Sequence, residues 1–537
     1  MEKANKRVKN ERSCLHYIEV LVSLPLSVLL SRARIPQATR APWGSEDLNG
    51  DNKDWSAMMI SGRDVKLCVV VLVINCMAFG CLLAAEKTQK GGIVRVTQGP
   101  ADLVLPRAGD GLGDADEFRY GIGHVFQAGP NQAGLLCNLR FEGLPAGDFE
   151  AGMDVVIFDD TQKISSANAV PVTRTVKYAD RVNGQWRIVL KHLSVGGFIP
   201  FGARRADGSP HPHAGTGFGI TQAIDYPMKG HGPNYGYYSK LDYWKAAVRT
   251  TEAQQFTFDG KEFKVPRVDT YTQANPLRAP DSKWRIIAPP IRMGIPDGDD
   301  LLVGVVAIPN DASVQVPAPR SCGVSRWRRV DGRWQPVEFT PVVSSRMPKQ
   351  PRVVQGHKMP ILPMEPTLIR DLDGALLFTV RSAYTKYENH VVRVWRSVDG
   401  HAWKVIVEQP DMRGQSPVTI NRAADGTPYI VSNAPGRERD KLVLWPFSRD
   451  RTGFEEPVTV RDALQQFGRP PSNIVWFMDH TNAGVVRLAD GRWHDLLVYR
   501  IMDRGEHGGQ APPPQTGLYV EEVLSTGRAT PAWRFTK

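Results

Sequence analysis

The sequence predicts an all-β protein, a β-propeller of four-stranded blades, with six blades as the expected number. Glycine and proline are frequent, at 49 and 41 of 537 residues, which favours many short strands joined by turns. Aspartate-glycine hairpins recur about every fifty residues, and a second turn pattern recurs with the same spacing. A period of about fifty residues with four strands in each unit is typical of propeller blades.

The composition excludes several classes of protein. With 42% hydrophobic and 23% charged residues, the chain is neither disordered nor collagen-like. Its six cysteines are too few for a dense disulfide framework in a chain of this length. The net charge is +11, but no run of lysine or arginine concentrates it, so nucleic acid is not an expected partner.

The N-terminal part has the layout of a signal peptide. A short basic segment at 61–66 precedes the apolar run 67–83 and the small residues Ala84 and Ala85. We therefore predict a signal peptide at 58–85 and a non-native upstream extension at 1–57. The protein is then secreted or periplasmic, with no stable membrane span after cleavage. A single membrane anchor is the alternative, and a lipoprotein anchor at Cys81 is not expected.

The remaining chain divides by the clarity of its repeat. Residues 91–290 show the repeat poorly and are predicted to form divergent N-terminal blades or a β-sandwich, whereas 291–537 form clear blades. Cys137 and Cys322 are the cysteines that remain after residue 85. They form either one disulfide or two buried thiols.

Two turn patterns define the repeat. Strand, Asp-Gly turn and strand recur at Asp373 and Asp425, 52 residues apart, and again at Asp490. A Ser-x-Asp-x-x-x-aromatic pattern follows twice, with its aspartates 51 residues apart. In such a turn the aspartate caps the backbone and the ring packs into the sheet, so a structural role is predicted for all six residues. They are Ser397, Asp399 and Trp403, then Ser448, Asp450 and Phe454.

These turns resemble the Asp-boxes, or BNR repeats, of the sialidase-like propeller superfamily. The resemblance implies a carbohydrate-active protein. Glu365 and Arg381, sixteen residues apart, resemble the glutamate that supports the sialidase nucleophile and one arginine of the carboxylate-binding triad. A strand that begins and a neighbour that ends at the same rim bring both side chains to one mouth of the propeller.

A second match concerns the loop that holds Arg437 and Arg439. The family places another triad arginine there, and Arg439 fits the spacing to Ser448 better. Guanidinium groups bind carboxylates bidentately and keep their charge, so several in one pocket imply an anionic ligand.

The sequence also departs from the family. The Phe/Tyr-Arg-Ile-Pro motif is absent, and Asp479 and His480 stand where the nucleophilic tyrosine is expected. A histidine paired with an aspartate suits proton transfer. Tyr499 is a candidate replacement for the tyrosine, and no aspartic acid/base is assigned.

Two other segments are candidates for ligand contact. His211 and His213 lie in a loop rich in glycine and proline, where they bind a metal, line a pocket or belong to an ordinary surface loop. No third ligand is evident, so neither a metal nor a cofactor is assigned. Residues 226–244 carry six aromatic side chains, which form a sugar platform or pack between blades.

Together these features predict an exported glycoside hydrolase-like enzyme that acts on an anionic or decorated glycan. Glu365, His480 and Asp479 are the candidate catalytic residues, and Arg381, Arg439, Arg437, His211 and His213 are the candidate substrate-binding residues. The partner is a glycan or polysaccharide, and the protein is expected to be a monomer. The alternatives are a glycan-binding propeller without catalysis, a polysaccharide lyase and a structural module at the cell surface.

Overall fold

The structure is a computed structural model. It describes the residues 92–96, 118–141, 150–174, 179–182, 185–227, 248–311, 319–349, 351–354, 357–383, 391–409, 412, 417–437, 439–472, 475–503 and 515–527. All of them belong to the compact unit Cys81–Lys537. The predicted upstream extension, the predicted signal peptide and most of the aromatic stretch 226–244 lie outside the described residues.

The described residues form a six-bladed propeller. Blade 1 contains β2 (Phe118–Gly129), β3 (Gln132–Phe141), β4 (Glu150–Phe158) and β5 (Ala169–Arg174). Blade 2 contains β6 (Ala179–Val182), β7 (Gln185–Ile199), β8 (Thr216–Pro227), β9 (Val248–Phe258) and β10 (Phe263–Tyr271). Blade 3 contains β11 (Trp284–Ala288), β12 (Ile295–Asp297), β13 (Asp300–Pro309), β14 (Ser321–Val330) and β15 (Arg333–Ser344).

The other three blades follow the same plan. Blade 4 contains β18 (Leu362–Arg370), β19 (Leu376–Ala383), β20 (Val392–Ser397) and β21 (Lys404–Gln409). Blade 5 contains β22 (Thr419–Arg422), β23 (Pro428–Asn433), β24 (Lys441–Pro446) and β25 (Val458–Asp462). Blade 6 contains β26 (Trp476–Arg487), β27 (Trp493–Asp503), β28 (Gly517–Ser525) and β1 (Ile93–Val96). Outside the blades lie the hairpin β16 (Arg352–Val354) and β17 (His357–Met359), helix α1 (Ala463–Phe467), and the short 3-10 helices Thr161–Lys163 and Ser166–Asn168.

The ring is closed by its first strand. β1 pairs with β28, so the beginning of the propeller supplies the outermost strand of the last blade. The first strands of neighbouring blades meet near the axis. Thr367 accepts a hydrogen bond from the backbone N–H of Ile420 at 3.0 Å, and Thr419 and Thr481 share a hydroxyl hydrogen bond at 2.6 Å. Blades 4, 5 and 6 are thereby joined along the hub.

The antiparallel strands give the propeller two distinct ends. We call the end where the first strand of each blade begins, and where its second strand ends, the entry face. The opposite end, the turn face, carries the Asp-Gly hairpins at Asp373, Asp425 and Asp490. It also carries the turns between the third and fourth strands, including those at Asp399 and Asp450.

Each of these two aspartates closes its turn by accepting hydrogen bonds. Asp399 accepts from the backbone N–H groups of His401 and Ala402, both at 2.8 Å, and Asp450 accepts from the hydroxyl of Ser448 at 2.7 Å. These hydrogen bonds lower the pKa of both carboxyls to about 2.

The aromatic residue of each turn packs into its own sheet. The ring centroid of Trp403 lies 5.7 Å from that of Phe378, and the centroid of Phe454 lies 4.8 Å from that of Phe447. Both phenylalanines are buried, so each turn is fixed to the core of its blade.

Apolar side chains fill the spaces between the blades. Between blades 2 and 3, for example, Phe218 stacks on Trp327 with ring centroids 3.9 Å apart. In the described part of 91–290, β2 to β10 form blades 1 and 2, β1 completes blade 6, and β11 belongs to blade 3. Cys137 and Cys322 are unbridged and buried, which decides between the two alternatives left open for them.

A half-buried arginine joins three first strands at the hub. Arg292, between β11 and β12, donates to the carbonyl oxygens of Ile420 at 2.9 Å, Ala483 at 3.2 Å and Leu368 at 3.5 Å. Burial lowers the pKa of Arg292 to about 10, so the guanidinium stays charged at neutral pH. Through these hydrogen bonds, Arg292 of blade 3 connects the first strands of blades 4, 5 and 6.

Candidate functional site

Charged side chains from three segments meet at the entry face. Near the start of β18, Glu365 Oε1 accepts from Arg381 Nη1 at 2.8 Å, and Arg381 lies near the end of β19. Near the start of β26, Asp479 Oδ2 accepts from Arg439 Nη1 at 2.6 Å. We call Glu365, Arg381, Arg439, Asp479, His480 and Arg500 the entry-face cluster.

Glu365 and His480 share an unusual backbone conformation. Their φ angles are 50° and 52°, in the left-handed region that side chains other than glycine rarely adopt. Each lies in a register shift of its first strand, between Met364 and Thr367 in blade 4 and between Asp479 and Asn482 in blade 6. Such strain costs on the order of 1–3 kcal/mol per residue and is concentrated at functional sites. Two blades thus present an ionisable side chain at the same structural position.

An arginine stands beside each of these bulges. Arg381 pairs in register with Met364, the residue before Glu365, and Arg500 pairs with Asp479, the residue before His480. Arg500 Nε donates to Asp479 Oδ1. Blades 4 and 6 therefore repeat one arrangement, in which a second-strand arginine flanks a first-strand acid or base.

Asp479 is the centre of the cluster. Its side chain is 0% exposed, and its two oxygens accept from Arg439, Arg500 and His480. Burial alone would raise the pKa of this carboxyl, but the charges of Arg500, His480 and Arg439 together hold the pKa well below its ordinary value. Asp479 is therefore an anion that orients its three neighbours, and no ligand can reach it.

His480 is oriented by that anion. Its Nδ1 lies 2.7 Å from Asp479 Oδ1, and because a carboxylate only accepts, Nδ1 is the donor. Proton exchange with a ligand would then take place at Nε2. The side chain is 12% exposed, so the ring is near the surface of the mouth.

Glu365 has one oxygen without a partner. Oε1 holds Arg381, whereas Oε2 is buried and has no hydrogen-bond partner among the described residues. The side chain as a whole is 20% exposed. A buried acceptor without a partner favours binding of a donor such as a sugar hydroxyl or a water molecule.

Arg439 is held from several sides. Its guanidinium lies over the ring of Phe477 at 4.9 Å, and its carbonyl oxygen accepts from Met478 N at 2.8 Å. Asn433 donates to the carbonyl of Met478, also at 2.8 Å, which fixes the loop against β26. Burial lowers the pKa of Arg439, and the nearby charge of Arg381 lowers it further, while Asp479 opposes both. The cation stays in place because Asp479 compensates it.

Four candidate residues lie outside the entry-face cluster: Arg437, His211, His213 and Tyr499. Arg437 pairs with Asp440 at 2.9 Å and Asp462 at 3.2 Å, so it belongs to the scaffold of the loop that precedes Arg439.

The two histidine candidates, His211 and His213, lie in the loop between β7 and β8, on the turn face. The ring of His211 contacts the carbonyl oxygen of Gly298 at 3.2 Å, and His213 packs edge-on against Trp334. Neither joins the entry-face cluster.

Tyr499 is also outside the cluster. It is 0% exposed and donates to Glu521 at 3.0 Å, and it accepts from Arg461. These contacts place its hydroxyl in the buried layer between blades 5 and 6, where it cannot meet a ligand at the mouth.

Sequence reasoning missed Arg500. The signal was present, because Arg500 follows the Asp490 turn on a second strand as Arg381 follows the Asp373 turn. Superposing the two hairpins would have identified it.

Among the described residues, no three histidine, cysteine or acidic side chains are grouped so that they could hold a metal ion. In the same part of the chain, no helix has the length and apolar character needed to cross a membrane.

The chain is similar in fold to sialidase-like propellers at low sequence identity. No family model and no curated protein matches it. Among solved structures, a protein of unknown function from Dyadobacter fermentans is 12% identical, with 81% of this chain and 100% of that one covered and a TM-score of 0.43.

Two similar structures have a stated activity. The intramolecular trans-sialidase of Ruminococcus gnavus is 12% identical over 76% of this chain and 95% of its own, with a TM-score of 0.39. The α-L-arabinanase of Penicillium chrysogenum is 11% identical over 82% and 100%, with a TM-score of 0.38. At these identities the likeness concerns the fold, and the function has to be argued from the residues of this chain.

Proposed function

We propose that the entry-face cluster binds a carboxylated glycan and cleaves it, with His480 as the general acid or base. The observation that carries this proposal is a cluster in which Arg439 and Arg500 hold the buried Asp479 beside His480, and Arg381 holds Glu365. Arg381, Arg439 and Arg500 bring three positive charges against the two carboxylates of Glu365 and Asp479. An anionic ligand would balance the excess.

The arginines supply recognition. Arg381 and Arg439 are each 19% exposed in their side chains, so both can be reached from the mouth while their acid partners hold them in place. A guanidinium group held in this way loses little conformational entropy when it binds a carboxylate. Glu365 Oε2 adds an acceptor for a hydroxyl of the same sugar.

The chemistry then depends on two side chains. Hydrolysis by paired carboxylates needs two acids that reach the sugar. In this cluster Asp479 is enclosed, which leaves Glu365. His480 is the second group that can exchange a proton, so Glu365 and His480 share the acid and base roles.

Elimination is the second candidate reaction, and the burial of Asp479 favours it. In a lyase, arginines neutralise a uronate carboxylate and a base removes the C5 proton. His480 is oriented for proton removal, and it needs no second carboxylate.

The remaining expectations belong to the same proposal. Export through a signal peptide at 58–85 would place the protein where polysaccharides occur. The capped turns at Asp399 and Asp450 support their interpretation as Asp-boxes. A monomer is expected. A binding propeller without catalysis is the outcome if the cluster retains glycans and does not turn them over.

The test is a screen of carboxylated and neutral oligosaccharides for binding and turnover. We expect wild type to cleave a carboxylated member, and Glu365→Gln to lower turnover by about 10²–10⁴-fold, the usual contribution of a general acid or base, with binding retained. Glutamine preserves the hydrogen bond to Arg381. Glu338→Gln, on β15 in blade 3, is the matched control and should turn over substrate like wild type.

The products distinguish the reactions. Unsaturated uronate ends indicate elimination, and new reducing ends without unsaturation indicate hydrolysis. Binding without turnover by wild type would show a non-catalytic propeller. No retention of any carboxylated glycan would contradict the proposal.

A further inference from the structure

A second basic site lies on the turn face, between blades 2 and 3. There β9 and β10 face the turn between β14 and β15 across a cavity of about 240 Å³. Its lining includes the guanidinium-bearing residues Arg267, Arg329 and Arg333. This volume is smaller than the roughly 300 Å³ at which pockets for larger ligands begin, and it suits one charged substituent with part of a sugar ring.

The charges around this cavity are unevenly paired. Asp269 holds Arg267 at 2.6 Å and lies 3.7 Å from Arg333. Asp331 is an exposed carboxylate at the edge. Arg329 has no acidic partner among the described residues, although it is half-buried. Burial lowers its pKa, which still leaves the group cationic at neutral pH.

The neighbouring arginines behave differently. Arg328 donates to both oxygens of Asp300, at 2.9 and 2.8 Å, and Arg326 pairs with Asp297 at 2.7 Å. A half-buried guanidinium without an acid is therefore exceptional on this strand. An anion from outside the chain can take the place of the missing acidic partner of Arg329.

Polar contacts hold the walls of the cavity. Trp334 N–H donates to Gln255 Oε1 at 2.8 Å, and Gln255 Nε2 returns a hydrogen bond to the Trp334 carbonyl at 3.2 Å. The indole N–H donates to Thr216 Oγ1 at 3.3 Å. His213 packs on Trp334 with ring centroids 5.6 Å apart, so the loop of the two histidines supports this wall. The site is therefore formed before a ligand arrives.

We propose that this cavity is a second binding site for an anionic group, a sulfate or carboxylate, on a polysaccharide. Arg329 is the principal contact, and Arg333 and Arg267 are secondary. The class of ligand, an anionic glycan, is taken from the proposed function. The inference does not depend on any catalytic step of that function. Because the site lies on the face opposite the entry-face cluster, it would hold a polymer to the protein without contacting the cleaved bond.

The test compares two neighbouring arginines. Calorimetric titrations with sulfated dextran oligosaccharides, oligogalacturonates, neutral dextran oligosaccharides and inorganic sulfate would use the full chain with Arg439→Gln, which weakens the entry face. We expect Arg329→Gln to weaken binding of one anionic oligosaccharide by about 10-fold or more, the loss of a charge-assisted hydrogen bond. Arg328→Gln removes the same charge one residue away and should change affinity by less than about twofold.

The outcomes are separable. Preference for the sulfated or for the carboxylated oligosaccharide supports the site and identifies its anion. Equal effects of the two substitutions would show general charge attraction and overturn the proposal. So would binding of neutral dextran with the same affinity, or binding of inorganic sulfate with no gain for an oligosaccharide. With the entry face intact, Arg329→Gln should leave turnover of a short substrate unchanged, so this inference and the proposed function can fail independently.

Discussion

His480→Asn is expected to lower turnover of a carboxylated glycan by about 10²–10⁴-fold and to leave its affinity within a few fold. The imidazole is the group of the entry-face cluster whose proton affinity suits acid and base chemistry near neutral pH. Asparagine tolerates the positive φ of 52° at this position, and it can hydrogen-bond to Asp479. The substitution therefore removes the proton-transfer group with little change to the bulge.

The control is a histidine outside the cluster. His401 is exposed at the Asp399 turn, on the turn face, and His401→Gln should match wild type in turnover. Steady-state kinetics with separate binding titrations would check both. If His480→Asn retained wild-type turnover, His480 would have no catalytic role and the proposed chemistry would be wrong.

Asp479→Asn is expected to lower the free energy of unfolding by about 3–5 kcal/mol, because it leaves buried charges uncompensated. The Arg500 side chain is only 3% exposed and that of Arg439 is 19% exposed, and both donate to this carboxylate. An amide can accept from one of them, but it also directs N–H donors at positive groups. Turnover should fall as well, since His480 loses its orienting anion.

Chemical unfolding of wild type and Asp479→Asn measures this loss. Asp299→Asn is the control, because Asp299 forms a solvent-exposed ion pair with Arg205, and such pairs contribute little to stability. The pKa of Asp479 is lowered in the folded protein, so its contribution is fully present above the unfolded value of about 3.9 and is lost as pH falls through the folded pKa. The difference between wild type and Asp479→Asn should therefore narrow in strong acid. A difference as small as that of Asp299→Asn would contradict the compensation argument.

The repeat was predictable because turn chemistry is local. Asp373, Asp425 and Asp490 mark hairpins that the sequence shows directly, since an Asp-Gly pair specifies a tight turn whatever surrounds it. Blade 2 shows the repeat less clearly, although the Asp-Gly pair Asp259-Gly260 connects β9 and β10. Its strands β7, β8 and β9 have 11 to 15 residues, and a long loop connects β7 to β8. Because these strands and this loop are long, the spacing of about fifty residues seen in blades 4 to 6 is not evident in blade 2.

The site was predictable where a residue lies close to a repeat landmark. Glu365 and Arg381 could be paired because both flank one hairpin. The partnership of Arg439 and Asp479 joins loop and strand from two blades, 40 residues apart, and no local pattern encodes it. His211 and His213 were selected by residue type and by their loop rich in glycine and proline, and neither feature specifies which end of a propeller a loop occupies. The bulges at Glu365 and His480 likewise follow from tertiary packing, which the chain order does not display.

The most direct test of the entry-face assignment is to offer wild type one oligosaccharide in two forms, with its carboxylates intact and with them reduced to alcohols. The three arginines predict that the acidic form is bound and cleaved and that the reduced form loses affinity by about 10-fold or more, since its charge-assisted hydrogen bonds are gone. Equal affinity and equal turnover of the two forms would show that the arginines at this mouth do not recognise a carboxylate.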